Sequence, residues 1–169
     1  MVKEHFLRLV ALSNTQGASF QRANVYAVEI SIEQRNVFVQ AFKNRLVALE
    51  KVYEQPVSLE QHLKNIEEFA AGLSNDFPNV LRDKKMRIGV AQKAVNLYLK
   101  FIWCYGWIPE PPYCPIDRIV LEQVDDHDAW TQIDSIQEYS EKIEKIRDKK
   151  GDKSFSEWEY ELWNKTNHL

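Results

Sequence analysis

Five glycines and six prolines leave this chain little turn-making material. That scarcity excludes a low-complexity tract, and no linker-like stretch or internal repeat interrupts the pattern. Two cysteines, Cys104 and Cys114, cannot build a disulfide framework in a chain of 169 residues. They read as reduced thiols and imply a cytoplasmic setting. Long apolar runs are missing too. The longest central one, Phe101 to Pro109, is too short to span a bilayer and follows Lys100. Glu4, His5 and Arg8 break the N-terminal segment too early for a signal-peptide core, so no membrane association is expected. The histidines His5, His62, His127 and His168 are scattered without metal-ligand spacing. No Walker, Rossmann or serine-elbow pattern occurs. No metal and no cofactor are expected.

What remains has ordinary globular proportions, with 44% hydrophobic and 28% charged residues. The length suits one domain spanning 1–169 around a single core. A net charge of −3 argues against a general nucleic-acid binder. The charge is unevenly spread, however. Residues 82–118 hold seven cations (Arg82, Lys84, Lys85, Arg87, Lys93, Lys100, Arg118) against Asp83, Glu110 and Asp117. That surplus of four leaves −7 for the rest of the chain, and a basic segment in an acidic chain suits an anionic ligand.

Helix starts are plainly written. Ser31-Ile-Glu-Gln34 is a capping box and predicts a helix from Ile32 to about Glu54, stopped by Pro56. Ser58-Leu-Glu-Gln61 opens a second towards Leu73, before Asn75, Asp76 and Pro78. A central helix is expected from Met86 to Tyr105, with Gly106 as its C-terminal cap. Four of the six prolines then fall between Trp107 and Pro115, which demands an extended crossing. Asp117 caps a short helix through Val124, Ser135 opens another to about Lys149, and Ser154-Phe-Ser-Glu157 opens the last. The first thirty residues fit two readings. Val25 to Ile30 suits a strand, with Ser13 to Gly17 as a turn after an earlier strand, and the same residues suit helices. The expected fold is all-α, about six helices, with room for a short N-terminal β-hairpin.

Across Met86–Tyr105, Ile88, Ala91, Val95, Leu99 and Ile102 line one face, and Val90, Ala94, Leu97 and Phe101 an adjoining one. Such a helix is buried on more than half its girth. The remaining stripe holds Gly89, Lys93, Asn96, Lys100 and Trp103, stacked in one row. It reads either as the wet face of an amphipathic helix or as a ligand-facing row, with a lysine, an amide, a second cation and an aromatic platform. Gly89 leaves room for something to approach beside Lys93. Elsewhere, Asp125-Asp-His-Asp128 lacks the glycine turn and final glutamate of a calcium loop and reads as solvated. Cys114 reads as a packed thiol.

Two short segments carry a resemblance. Gly89-Val90-Ala91-Gln92-Lys93-Ala94 is similar to the hairpin exit and its lysine in the helix-hairpin-helix DNA glycosylases. Pro115-Ile116-Asp117-Arg118 resembles their aspartate segment. The likeness covers about residues 87–121. Met86-Arg87-Ile88 stands where the family has Leu-Pro before its first glycine, and Ala91 replaces the second glycine. The resemblance implies that Lys93 attacks the sugar anomeric carbon while Asp117 stabilises the developing charge or helps activate the lysine. It also implies that hairpin amides grip a DNA phosphate. Gly89, Asn96, Lys100, Trp103 and Arg118 are then the expected DNA contacts. The chain as a whole is also similar to short bacterial proteins to which no activity attaches. The rival expectation is a non-catalytic helical interaction module, for example a defence or host-interaction component. Its partner or homodimer surface would be the C-terminal aromatic helix, where Phe155, Trp158 and Leu162 share one face and Tyr160 and Trp163 are displaced from it.

Overall fold

The computed structural model describes residues 2–167. Among them it contains seven α-helices: α1 (Val2–Phe20), α2 (Ile32–Val52), α3 (Leu59–Asp76), α4 (Ile88–Cys104), α5 (Arg118–Glu122), α6 (Ile136–Lys150) and α7 (Phe155–Asn167). Two 3-10 turns, Arg82–Lys84 and Trp130–Gln132, punctuate the connections. The fold is all-α, with one helix more than expected.

The predicted caps form as read. The Ser31 hydroxyl accepts from the Gln34 amide, and the Gln34 side chain accepts from the Ser31 amide at 2.8 Å. Ser58 caps α3, Ser135 caps α6, and Ser154 and Glu157 make the reciprocal pair that opens α7. Each orphan amide is satisfied by a residue three positions away, so these boundaries are local events.

Residues 2–20 resolve as one helix, and residues 21–30 as turn and irregular chain. Ser13 to Gly17 lies inside α1 rather than in a turn. The reason is tertiary. Ala11, Leu12, Thr15 and Ser19 form a buried stripe of small and apolar side chains, and α1 makes its most extensive helix–helix contact with α4. Burial of that stripe outweighs the weak intrinsic preference of Ser, Asn and Thr for non-helical backbone. Val25 to Ile30 bends at Val28 and Glu29 and pairs only once, through an isolated antiparallel bridge between Tyr26 and Leu81. Among the described residues there is no β-hairpin.

Helix α4 runs through the middle of the molecule. Val95, Tyr98, Leu99 and Ile102 are fully buried in one contiguous core that also takes Phe38, Phe42, Ile66, Leu73 and Tyr139 from α2, α3 and α6. Its C-terminus closes as a Schellman turn. Gly106 (φ 78°) donates to the Trp103 carbonyl at 2.8 Å, and Trp107 donates to that of Ile102 at 3.1 Å. The proline-rich segment then doubles back beside α4 and delivers Asp117, whose Oδ1 accepts from the Ile119 and Val120 amides to cap α5. No described helix is long and apolar enough to cross a membrane.

Candidate functional site

Lys93 and Asp117 meet on the wall of an open cleft. Lys93 Nζ donates to Asp117 Oδ2 at 2.5 Å and lies 5.9 Å from the centre of the Trp130 ring. The cleft has a volume of about 280 Å³ and is completed by Ala18, Gln21, Arg22, Arg118 and Ile119. The Lys93 side chain is only 10% exposed and the Asp117 side chain 29%. The pair is therefore largely buried in the cleft wall, Lys93 more than Asp117.

The contact depends on a neighbour. Gln92 is fully buried, and its side-chain amide clamps the crossing backbone at Ile116. Gln92 Nε2 donates to the Ile116 carbonyl at 2.7 Å, and Gln92 Oε1 accepts from the Ile116 amide at 3.1 Å. A buried amide paired with both groups of one peptide position sets a register in the way a strand partner does. Adjacent residues on each side, Lys93 and Asp117, are thereby brought face to face. A glutamine next to a lysine on an otherwise apolar helix was the available signal for this clamp.

The rest of the stripe behaves differently. It is not a wet face. Gly89, Lys93 and Asn96 are buried, as is the neighbouring Gln92, and Lys100 and Trp103 are half-buried. Gly89 does permit a close approach, but the visitor is the chain itself. A Cβ at this position would lie 1.8 Å from the Trp130 carbonyl oxygen. The Gly89 amide donates to the Ile133 carbonyl at 2.9 Å, so it is not free to grip a phosphate. The preceding chain, residues 77–87, is a long connection with a 3-10 turn rather than a tight glycine hairpin between helices. Asn96 is sealed. Its Oδ1 accepts from His62 Nε2 at 2.9 Å, and its Nδ2 donates to the Tyr139 hydroxyl at 3.0 Å. Lys100 is ion-paired with Glu159 of α7, about 10 Å along the helix from Lys93 at 1.5 Å per residue. Neither Lys100 nor Trp103 lines the cleft, whereas Arg118 does, while paired with Glu122 at 2.6 Å. Of the expected DNA contacts, only Arg118 therefore stands beside Lys93 and Asp117.

Two other segments are structural: Cys114 is packed as expected, and the loop read as solvated instead buries Asp126. Asp126 is buried and receives Lys142 Nζ and Lys145 Nζ, each at 2.9 Å from Oδ2, in place of a metal ion. Burial alone would raise its carboxyl, but the hydrogen bonds from Lys142 and Lys145 outweigh burial and bring it down to about 2. Cys114 is buried, and burial pushes its thiol upward, away from the reactive thiolate. Among the described residues no cluster of His, Cys, Asp or Glu could hold a metal, and His168 lies outside them.

Arg22 and Trp130 carry no signal in sequence. They reach the cleft from α1's end and from a 3-10 turn, and only the packing of both against α4 puts them there. No protein-family model, no curated protein and no solved structure matches this chain.

Proposed function

We propose that the protein acts on DNA at the Lys93–Asp117 cleft, as a glycosylase-like base-excision enzyme with Lys93 as nucleophile. The observation that supports it is the Lys93–Asp117 contact in a cleft bordered by Arg22, Arg118 and the Trp130 ring. A lysine that attacks must first shed a proton, and Asp117 Oδ2 is in place to take it. The amine nitrogen then bonds to the sugar anomeric carbon as the carbon–base bond breaks. The base departs with that electron pair, and opening of the sugar ring leaves an imine to Lys93. Arg118 supplies positive charge at the rim for a flanking phosphate.

The test is borohydride trapping on duplexes carrying a broad panel of damaged or modified bases. Reduction of the imine should leave the protein covalently attached to DNA. Lys93→Gln should abolish the adduct, and Asp117→Asn, which retains an oxygen to cap α5, should slow its formation. Absence of any adduct across the panel, with no DNA affinity at low salt, overturns the proposal.

A second reading, the non-catalytic interaction module, draws on a separate observation. On α7, Phe155 and Trp158 are buried and Leu162 is half-buried, while Tyr160 and Trp163 are 56% and 46% exposed. Aromatic side chains left at a surface suit a partner or a second copy. Concentration-dependent sedimentation that Tyr160→Ser and Trp163→Ser together suppress would favour this reading.

A further inference from the structure

The proposed activity needs phosphate contacts, and the Gly89 amide is already spent on Ile133. We infer that these contacts come instead from a cationic ridge, Arg22, Arg82 and Lys84, that tracks a DNA backbone into the Lys93–Asp117 cleft. This inference rests on the DNA-directed reading and adds a binding site to it.

Three observations carry it. The first is alignment. The Tyr26–Leu81 bridge, with Ala27 donating to Val80 at 2.9 Å and Arg82 donating to Val25 at 2.8 Å, runs two segments antiparallel. The turn at Arg22–Asn24 therefore continues beside the turn at Arg82–Lys84. Asn24, Arg82, Lys85 and Arg87 wall one small hollow, and Arg22 reaches the neighbouring cleft with Lys93.

The second is charge accounting. The nearby carboxylates are taken: Asp83 by Arg87 and Asp134 by Lys85, each at 2.5 Å, Glu122 by Arg118 at 2.6 Å, and Asp117 by Lys93 at 2.5 Å. Among the described residues, Arg22, Arg82 and Lys84 make no ion pair, and all three are exposed. Three uncompensated cations in a row attract a polyanion even though the net charge of the chain is negative.

The third is backbone strain. Arg22, Asn24, Asp83 and Lys84 all adopt left-handed backbone, with φ between 47° and 66°. Four of the five such non-glycine residues among those described thus fall on these two adjacent turns. Left-handed backbone is disfavoured for long side chains, and such residues gather at functional sites.

Fluorescence anisotropy with a labelled mixed-sequence duplex, across a range of salt, tests the ridge. The wild-type chain should bind at low salt with a steep logarithmic salt slope. The triple variant Arg22→Gln, Arg82→Gln, Lys84→Gln should bind more weakly, with a slope shallower by about three, one unit for each lost phosphate contact. Its melting temperature should match the wild type, because none of the three side chains is buried. A triple variant with unchanged slope overturns the ridge while leaving the cleft proposal standing. Wild-type protein without measurable affinity at low salt overturns both.

Discussion

Acidification should destabilise this protein through one buried side chain, His62, which is wholly excluded from solvent. Its protonation state is dictated from some distance by the backbone of the proline-rich crossing. The Ile116 amide must donate, so Gln92 turns Oε1 towards it. Asn96 must then present Nδ2 to that oxygen, at 3.3 Å, and Oδ1 to His62. Nε2 of His62 consequently carries the hydrogen, and Nδ1 accepts from the Tyr53 hydroxyl at 2.6 Å. The Tyr53 oxygen already receives Asn65 Nδ2 at 3.0 Å. A second proton on His62 would enter a site with no carboxylate and a donor already pointing at it. Burial lowers the imidazole from 6.5 to about 4, only partly offset by the bond to Asn96.

The sign follows from linkage. Between pH 6.5 and about 4 the unfolded chain binds a proton at His62 that the folded chain refuses. Stability present above pH 6.5 is therefore lost as the pH falls through that window, and the loss levels off below about 4. At 1.36 kcal/mol per unit the loss amounts to about 3 kcal/mol, a large share of a typical domain's stability. Urea unfolding from pH 7.5 to 4.5, for the wild type and His62→Gln, isolates the effect. Glutamine keeps a donor for Asn96 and cannot titrate, so its stability should fall much less steeply than that of the wild type. Parallel curves for the two proteins would refute the reasoning, because the pH dependence would then arise elsewhere.

Gly89→Ala should destabilise by about 3 kcal/mol or more, at or beyond the top of the usual overpacking range, because the obstacle at 1.8 Å is a backbone carbonyl that no side-chain rotation removes. Denaturant midpoints measure it, and a melt like that of the wild type would show that Trp130 can withdraw freely. Gln92→Met should cost about 2–5 kcal/mol, since it leaves the buried amide and carbonyl of Ile116 unpaired. If the variant folds, crystallography should find Asp117 drawn away from Lys93, and an intact 2.5 Å contact would show that the pair needs no clamp.

Much of this architecture is legible along the chain. Ser31, Ser58, Asp117, Ser135 and Ser154 cap helices by bonding amides two or three positions on, and such contacts need nothing from elsewhere. The central helix is equally clear, because apolar residues surround most of its axis. The closeness of Lys93 and Asp117 could be expected from a stiff crossing that must double back past the helix end. Other features were decided only in three dimensions. Ser13 to Gly17 is helical because α4 covers its small-residue stripe, and no local signal announces that cover. Asn96 stands in the polar row, and Gln92 precedes its lysine in sequence. They are buried because their partners His62, Tyr139 and Ile116 lie 34, 43 and 24 residues away. Burying a polar side chain costs least when its bonding groups are satisfied, and here the satisfying groups come from other helices and from the crossing. The same holds for the cleft. Lys93 and Asp117 are written into one short stretch, but Arg22 and Trp130 reach them only because α1 and the 3-10 turn after α5 pack against the same end of α4.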